Sequence, residues 1–383
     1  MKFIEDTNIE NKKVILRCDL NVTIKDGSIV DATKIKESLK TINYLLSKNC
    51  SIIILSHLGK IKCEEDKNKN SLYIVKLELE KLLNKKIYFS KTTRGEELNE
   101  LADSLKPQDI LLVENTRFED YPEKLESKCD EELAKYWASL GSVFVNDAFG
   151  TTHRRHASNY GISMYLDTYY GYLIKKELDG LAPVINPTRP FTVIMGGSKV
   201  EDKITIIKNL LKECDHLIVG GGIANTFLKA LDYELGLSLY DEVYLSDIKE
   251  LYNDNKEKII LPYTVKTLNN NKVYTKNIKE IEKEDNILDI VLENHYKDIL
   301  NSSKTIFVNG TLGLYENEEF KDGTENLLKE LANIDGKVII GGGDALASVN
   351  KLGNKEDYYF ISTGGGATLE YIKEKKLLAL EGE

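Results

Sequence analysis

Short runs of β-branched and other apolar residues recur along the first half of the chain, and each run ends in polar residues before a helical pattern begins. Continuous apolar runs of this length are typical of strands buried on both faces, which predicts a parallel sheet covered by helices. The predicted strands are residues 14–18, 52–55, 87–89, 110–113 and 143–145. Helical spacing of apolar residues predicts helices over 35–46, 71–83, 131–140 and 172–185.

The second half repeats this pattern, but its apolar runs end in glycine-rich turns. The predicted strands, which lead into GGSK, GGG, NGTLG, GGGD and GGG, are residues 191–195, 216–219, 304–308, 337–340 and 358–363. The three GGG triplets begin at 220, 341 and 364, and this uneven spacing excludes a repeat array of fixed period. The alternation of strands and helices predicts an α/β fold with two doubly wound, Rossmann-like domains and parallel sheets.

A helix and a proline-rich break separate the two halves. The predicted helix over 172–185 is followed by Asn-Pro-Thr-Arg-Pro, which holds two of the six prolines and ends the helix. The predicted organisation is an N-terminal domain over 1–170, an interdomain helix and linker over 171–190, a C-terminal domain over 191–362 and a C-terminal segment over 363–383. We expect a cleft faced by the carboxyl ends of the strands. Polar residues 62–70 predict a mobile surface loop, and 269–272 a turn.

Composition and charge restrict the classes of function. The 383 residues carry 62 Asp and Glu against 52 Lys and Arg, a formal net charge of −10, so neither nucleic acid nor an anionic membrane is expected as a partner. No apolar run approaches the ~20 residues of a membrane span, and the first residues lack the apolar stretch of a secretory signal. The five cysteines form no CxxC pair, which favours reduced thiols and a cytoplasmic protein.

Polar side chains follow the predicted strands of the N-terminal half. They are Asp19, Asn21, His57, Lys60, Arg117, His153 and Arg154. Because the carboxyl ends of parallel strands lie side by side, the basic members of this set predict one cationic pocket on an otherwise acidic protein. Such a pocket suits a small anionic metabolite that carries phosphate. Helix capping or surface ion pairing explains each residue taken singly, whereas their joint position favours the pocket.

The glycine turns of the C-terminal half point to a second kind of ligand. Backbone N–H groups at such turns, just before helices, can approach a polyphosphate closely. Lys199 and Lys203 lie four residues apart in GGSKVEDK, and Asp344 directly follows a GGG triplet, where a carboxylate can hold Mg²⁺ against a nucleotide. The sequence has no GxxxxGK[ST] motif, so an ordinary P-loop is not indicated.

Ten motifs along nearly the whole chain carry a family resemblance. In order they are RCDLNV, DGSIVDATKI, SHLGK, VENTRF, VNDAFGTTHRRHAS, GGSKVEDKI, VGGGIANTF, VNGTLGLYE, GGGD and STGGGATLE. In these motifs the sequence resembles phosphoglycerate kinase. The resemblance implies reversible phosphoryl transfer in glycolysis between ATP and the carboxylate of 3-phosphoglycerate, giving 1,3-bisphosphoglycerate and ADP. It also implies 3-phosphoglycerate on the N-terminal domain, MgATP or MgADP on the C-terminal one, hinge-bending closure and a C-terminal segment that returns to the N-terminal domain. We expect a monomer.

The same resemblance implies a role for each matching residue. The implied substrate-binding residues are Asp19, Asn21, Lys34, His57, Lys60, Arg117 and Arg154. The implied nucleotide-binding residues are Lys199, Lys203, Gly220, Asn309, Glu316, Gly342, Gly343, Asp344 and Ala345. The implied catalytic residues are Lys34, Lys199, Gly343 and Gly365, and Asp344 is the implied Mg²⁺ ligand.

The sequence departs from the family pattern inside both predicted sites. Lys34 and Lys60 stand where the family has arginine, and lysine keeps the charge but loses the planar fork. Ala345 stands where the family has a hydroxyl residue, and the stretch near the adenine reads Leu-Asp-Ile-Val at 288–291. Two alternatives therefore stay open at this stage: a paralogous kinase of a related small carboxylate, or a weakly active nucleotide-binding regulatory protein. The choice between ATP and GTP also stays open.

Overall fold

The computed structural model describes residues 1–201 and 203–380 and divides into two compact units. Unit 1 comprises Met1–Asp179 with Lys376–Glu383, and unit 2 comprises Gly180–Lys375. The division falls inside a helix, Tyr172–Ile185. Of the predicted segment 363–383, residues 363–375 belong to unit 2 and the rest to unit 1. Asp202 and the end of this segment, residues 381–383, lie outside the described residues.

Unit 1 is built, in its described residues, on a six-stranded parallel sheet in the order β5-β6-β4-β1-β7-β8, with β2 and β3 forming a separate antiparallel pair. Its strands are β1 (Lys13–Cys18), β2 (Ile24–Lys25), β3 (Ser28–Ile29), β4 (Ser51–Leu55), β5 (Tyr88–Ser90), β6 (Ile110–Val113), β7 (Val143–Asp147) and β8 (Thr168–Tyr170). Its helices are α1 (Thr33–Ser47), α2 (Glu65–Lys69), α3 (Tyr73–Leu83), α4 (Glu96–Ser104), α5 (Glu131–Ser139) and the first part of α6 (Tyr172–Ile185).

Both faces of the unit 1 sheet are covered, which is why its central strands are apolar at consecutive positions. Alternate residues of β1, such as Val14 and Leu16, pack with Ile42 of α1 and Leu79 of α3. The residues between them, such as Ile15, face the opposite core. The arrangement brings the carboxyl ends of β1, β4, β6 and β7 to one edge of the sheet, because these strands are parallel neighbours.

Unit 2 repeats this architecture. Its described residues form a six-stranded parallel sheet in the order β11-β10-β9-β15-β16-β17 and a three-stranded antiparallel sheet in the order β13-β12-β14. The strands are β9 (Phe191–Met195), β10 (His216–Val219), β11 (Ile259–Ile260), β12 (Thr264–Asn269), β13 (Lys272–Asn277), β14 (Asn286–Ile290), β15 (Thr305–Asn309), β16 (Lys337–Gly341) and β17 (Phe360–Ile361). The helices are α7 (Ile204–Glu213), α8 (Gly221–Ala230), α9 (Leu245–Asn255), α10 (Asn294–Ser302), α11 (Asp322–Leu331), α12 (Gly343–Leu352) and α13 (Gly366–Glu374).

The predicted fold class is confirmed: both sheets are parallel and alternate with helices, as the apolar runs indicated. Three details were wrong. Residues 62–70 contain the short helix α2, whose first turn is favoured by Glu65 and Asp66 near its N-terminus. The last predicted strand shrinks to β17, since only two of its residues pair with β16. The antiparallel sheet was missed, because alternating polar residues such as those of β13 give a weak signal.

The turn predicted over 269–272 is confirmed as the hairpin that joins β12 and β13. Asn270 and Asn271 both have positive φ angles, 49° and 60°, as a tight two-residue hairpin requires. Each of the five cysteines has a free thiol, in line with the predicted reduced state. Within the residues that the structure describes, no helix is long and apolar enough to cross a lipid bilayer.

Candidate active site

The loop after β1 and the start of α1 in unit 1 hold three of the predicted substrate residues close together. Asp19 is almost fully buried, with 4% of its surface exposed. The Lys34 Nζ atom, at the start of α1, donates a hydrogen bond to Asp19 Oδ2 at 2.8 Å. The side-chain oxygen of Asn21 accepts from the backbone N–H of Gly59 at 2.8 Å. The structure therefore joins Asp19, Asn21 and Lys34 at one corner of the sheet edge.

The loop after β6 is fixed to the loop after β4 by a buried amide. Asn115 Oδ1 accepts from the N–H groups of Leu58 and Arg117, both at 3.1 Å. Its Nδ2 donates to the carbonyls of Leu58 at 2.7 Å and Asn70 at 2.8 Å. Arg117 adds a bond from its guanidinium to the Gly59 carbonyl at 2.7 Å. Asn115 thereby sets the position of the Arg117 backbone next to the predicted substrate residues.

Basic side chains are concentrated at this edge, and Asp19, Asp120 and Glu126 are the acidic charges that act on Arg117. Burial, followed by the neighbouring charge of Arg154, lowers the pKa of Arg117. The pKa of His57 lies well below its usual value because the ring is buried, and because Arg17 and Arg117 repel a further positive charge. Arg154 is exposed, and its Nε donates to His153 Nε2 at 3.0 Å. Such an arrangement favours an anion, which would offset the repulsion between the two guanidinium groups.

Lys60 differs in position from the other predicted substrate residues. It directly follows Gly59 in the loop after β4, and its side chain is exposed. His57, at the start of the same loop, is buried, and Arg117 is buried as well. The structure therefore places the charge of Arg117 near both His57 and Arg154 and leaves Lys60 at the solvent side of this loop.

Unit 2 contains a cavity of about 240 Å³. It is bounded by strand β14, by the loops after β9, β10 and β15 and by the first turn of α12. Its lining includes Ser198, Gly221, Asp289, Leu314, Glu316 and Asp344. Leu314 and the neighbouring aliphatic wall suit a planar base, whereas Glu316 and Asp344 are exposed carboxylates at the rim. The cavity thus combines an apolar part with a few polar groups, as is typical of cofactor and nucleotide sites.

The remaining nucleotide residues of the prediction lie at the strand ends around this cavity. Gly220 and Gly342 immediately precede α8 and α12, and Gly365 precedes α13. Three helix N-termini therefore follow β10, β16 and β17, and a helix N-terminus is a place where N–H groups can meet a phosphate. At the start of α8, the N–H groups of Gly221 and Ile223 already donate to the carbonyls of Leu312 and Gly197. Gly343 is exposed in the first turn of α12, whereas the Ala345 side chain is buried in the core.

The two predicted lysines have different surroundings. Lys199 is exposed in the loop after β9, directly after the cavity residues Gly197 and Ser198. The Lys203 Nζ atom donates to the carbonyls of Gly196 at 2.6 Å and Asn309 at 3.3 Å. Lys203 therefore links the ends of β9 and β15 and brings its charge to the glycine loops.

Asp289 is the acidic residue on the wall of the cavity. One of its oxygens accepts from the Gly323 N–H at 2.8 Å, in the first turn of α11. Its pKa is raised to about 7, because burial outweighs the stabilisation by this and a second backbone N–H. Asp289 thereby ties the first turn of α11 to strand β14, which forms one wall of the cavity.

The donor set for a metal ion is small. Among residues 1–201 and 203–380, no group of three or more His, Cys, Asp or Glu side chains converges on one point. Mg²⁺ bound with a nucleotide needs only one or two protein carboxylates, since phosphate oxygens and water supply the other ligands. Asp344 is an exposed carboxylate on the cavity rim, so it fits a metal that arrives with the nucleotide.

Comparison with known proteins decides the family. The family model described as phosphoglycerate kinase matches residues 4–375. The chain belongs to the phosphoglycerate kinase family. It is 45% identical over 385 residues to the phosphoglycerate kinase of Macrococcus caseolyticus, covering 98% of this chain and 97% of that one. It is 44% identical over 384 residues to the enzyme of Staphylococcus aureus, with the same coverage.

Solved structures of phosphoglycerate kinases agree with this assignment. The structure from Coxiella burnetii has a TM-score of 0.87 and 35% identity, covering 98% of this chain and 97% of that chain. The structure from Pyrococcus horikoshii has a TM-score of 0.86 and 29% identity, covering 99% and 98%. Membership confirms the predicted enzyme class, a phosphotransferase with a carboxyl acceptor, and favours neither of the two alternatives.

The structure also brings in residues that the sequence did not assign to a phosphoglycerate kinase site. Arg17, Glu126 and Ser158 are fully buried beside His57 and are joined by hydrogen bonds. One signal was available: Arg17 is one of only six arginines and lies inside an apolar strand, where a charge needs a partner. Nothing in the sequence indicated that the partner would lie in the loop after β6.

Proposed function

We propose that this chain catalyses reversible phosphoryl transfer between ATP and the carboxylate of 3-phosphoglycerate, giving 1,3-bisphosphoglycerate and ADP. The observation that carries the proposal is the group of basic side chains, His57, Arg117 and Arg154, in the loops that follow β4, β6 and β7, on a protein with a net charge of −10. Such a concentration of like charge is costly without a bound anion. A phosphorylated carboxylic acid supplies both anionic groups.

In the proposed complex, unit 1 holds the acceptor. His57, Arg117 and Arg154 bind the phosphate of 3-phosphoglycerate through hydrogen bonds and charge, with Lys60 supplying further charge from the solvent side of its loop. Asp19 and Asn21 hold the substrate hydroxyl and orient the glycerate. Lys34 neutralises the carboxylate, for which its bond to Asp19 provides the orientation.

Unit 2 holds the nucleotide in the same proposal. The base occupies the apolar side of the 240 Å³ cavity, and Glu316 accepts hydrogen bonds from the ribose. The N–H groups around Gly220, Gly342, Gly343 and Gly365, together with the backbone at Asn309 and Ala345, approach the phosphates. Lys203 lies at the phosphate end through its bonds to the loop carbonyls. Asp344 would hold the Mg²⁺ that accompanies the nucleotide.

The chemistry requires alignment and charge neutralisation rather than a general base. The acceptor carboxylate is already an anionic nucleophile, so no proton has to be removed before transfer. Lys199 stabilises the negative charge on the transferring phosphoryl group, and Lys34 neutralises the nucleophile. Bound Mg²⁺ supplies further neutralisation of the phosphate charge. The proposal includes domain closure, which brings the two ligands together and excludes water.

A coupled assay of ATP-dependent 3-phosphoglycerate phosphorylation tests this function, with Mg²⁺ titrated as the metal. We expect turnover at or above ~1 s⁻¹ and its loss in Asp344→Ala. The matched control is Asp335→Ala, which removes an exposed carboxylate paired only with Lys304 at 3.6 Å and should leave turnover unchanged. Near-zero turnover in the wild-type protein, with nucleotide still bound, would refute the proposed reaction. Turnover in GTP compared with ATP measures the base preference.

Lys34→Arg is expected to raise kcat/KM for 3-phosphoglycerate. The lysine ammonium donates to Asp19 and meets the substrate carboxylate as a point charge, whereas a guanidinium can give the carboxylate two parallel hydrogen bonds. One added charge-assisted hydrogen bond corresponds to roughly a 10-fold gain or more. Steady-state kinetics of the variant measure the change, and Lys36→Arg, an exposed position on the same helix, is the control. A fall in kcat/KM would indicate that lysine is adapted to a different carboxylate.

The proposal also covers the setting of the enzyme. We take it to act in glycolysis, in the cytoplasm and as a monomer. The family assignment supports the pathway, and the free thiols of all five cysteines suit a reducing compartment. Sedimentation equilibrium of the purified chain at several concentrations tests the monomer, because a self-associating protein would give a mass that rises with concentration.

A further inference from the structure

A fully buried arginine lies beneath the cationic edge of unit 1. Arg17, in the central strand β1, has none of its surface exposed. A guanidinium keeps its charge in a protein interior, so it needs hydrogen-bond acceptors and a counter-charge there. The contacts of Arg17 identify its hydrogen-bond acceptors and its counter-charge, and one of these contacts is with His57.

The first side of Arg17 is anchored by a relay to a buried carboxylate. Its Nε donates to Ser158 Oγ at 2.8 Å. The Ser158 hydroxyl in turn donates to Glu126 Oε1, and the Ser158 N–H donates to Glu126 Oε2 at 2.9 Å. Glu126 is fully buried as well, and it is the charge that most favours the protonated form of Arg17. Since Ser158 gives its only hydroxyl proton to Glu126, it can accept from Arg17.

The second side of Arg17 faces His57. Its Nη1 atom donates to the carbonyl of Cys18, and its Nη2 atom lies 3.3 Å from His57 Nδ1. Arginine has donors only, so Nδ1 must be the acceptor. His57 is neutral, since burial and the charges of Arg17, Arg117 and Lys34 lower its pKa well below the usual value. A neutral imidazole that accepts at Nδ1 carries its proton on Nε2.

The geometry points to Arg17 as a positioning residue that fixes His57 as the neutral Nε2–H tautomer, so that the ring presents a donor, not a lone pair, to the substrate phosphate. The anchor is the Ser158–Glu126 relay, which holds the guanidinium in the plane that reaches His57. This role rests on the proposed binding of substrate phosphate by His57. An anion at Nε2 is attracted by the N–H of this tautomer and repelled by the lone pair of the other one.

Nitrogen-15 NMR of histidine-labelled protein, without substrate, tests the tautomer directly. The His57 signals are assigned by their loss in His57→Gln. In the wild-type protein at neutral pH we expect a protonated Nε2 and an unprotonated Nδ1. A protonated Nδ1 would overturn the inference even if no variant folded. In Arg17→Met we expect the signals of both tautomers, because the donor to Nδ1 is gone. A single unchanged Nε2–H tautomer in this variant would refute the role of Arg17.

Steady-state kinetics test whether the fixed tautomer of His57 affects the binding of 3-phosphoglycerate. Arg17→Met should raise the KM for 3-phosphoglycerate about 10- to 100-fold with a smaller change in kcat, because it weakens a bond to the phosphate. Arg17→Lys, which keeps a donor in the strand, should recover part of the KM and the single tautomer. Arg94→Met removes an exposed arginine bonded to Glu119 at 3.0 Å and should change neither. An unchanged KM in Arg17→Met would refute the kinetic role.

The two readouts separate this inference from the proposed function. If the wild-type protein lacks kinase activity, the tautomer measurement still reports whether Arg17 fixes His57. If the kinase is active but His57 has its proton on Nδ1, the function stands and the positioning role is wrong. A Ser158→Ala variant checks the relay: it should broaden the tautomer distribution while leaving the Arg17 charge in the protein.

Discussion

Lys199→Met is expected to lower kcat by about 10²- to 10³-fold, the usual effect of removing one group that stabilises charge in a transition state. Lys199 lies in the loop after β9, next to the cavity residues Gly197 and Ser198. Asp241, which lies in a different segment of unit 2, stabilises this loop by accepting a hydrogen bond from the Val200 N–H at 2.6 Å. The loop should therefore keep its conformation when the lysine head group is lost. Stopped-flow measurement of single-turnover phosphoryl transfer checks the prediction.

The matched control is Lys208→Met on α7. Lys208 is exposed and paired with Asp247 at 3.1 Å, so its loss should leave kcat within twofold. The two variants remove the same charge from the same unit and differ in their distance from the cavity. If Lys199→Met lowers only the affinity for the nucleotide and leaves kcat intact, the lysine binds the ground state and does not stabilise the transferring group.

The sequence predicted the elements of the fold whose signal is local. Strands such as β1, β9 and β10 are continuous apolar runs because helices cover both faces of each sheet. The two-residue edge strand β11 and the alternating strand β13 were missed. Each depends on a partner strand distant in sequence, and neither has enough consecutive apolar residues to stand out.

For the candidate site, the sequence indicated the residues expected to contact ligand but not the buried residues that support them. The residues expected to touch ligand could be named from family motifs and strand ends, and their roles remain predictions. The roles of the buried side chains that support these residues could not be predicted, since those roles depend on contacts between segments distant in sequence. The bond from Arg17 to Ser158 spans 141 positions, and although both residues lie in family motifs, nothing in the sequence pairs them. The same holds for Lys34, whose bond to Asp19 emerges only from the fold.

The glycine-rich turns of unit 2 also show what the sequence cannot distinguish. Some of their glycines are required by close backbone contact, and others leave open space beside a helix N-terminus. Gly196 lies at the end of β9, where its N–H donates to the Asn309 carbonyl at 2.9 Å. A Cβ atom at this position would lie 1.9 Å from the Thr311 carbonyl oxygen. Gly343, in GGGD, has open space where its Cβ would be. The sequence pattern does not separate a glycine required by backbone contact from one left open for a ligand.

Gly196→Ala is therefore expected to lower the free energy of unfolding of unit 2 by about 3 kcal/mol or more, at the upper end for overpacked sites. The obstacle is the backbone of Thr311, so no side chain can rotate away to relieve the overlap. Hydrogen exchange detected by mass spectrometry measures this loss in peptides of β9 and β15. Fluorescence of Trp137, the single tryptophan and fully buried in unit 1, monitors unit 1 in the same samples.

Gly343→Ala should show the reverse pattern. Its Cβ meets nothing within 4 Å, and alanine is a better helix former at the start of α12, so unfolding should change by less than about 0.5 kcal/mol. The methyl group would instead occupy space that the nucleotide phosphates need, which predicts weaker binding of ADP by isothermal titration. If Gly343→Ala binds ADP normally, α12 does not approach the phosphates.

If Gly196→Ala is as stable as the wild-type protein, the loops after β9 and β15 do not make the close backbone contact seen in the structure.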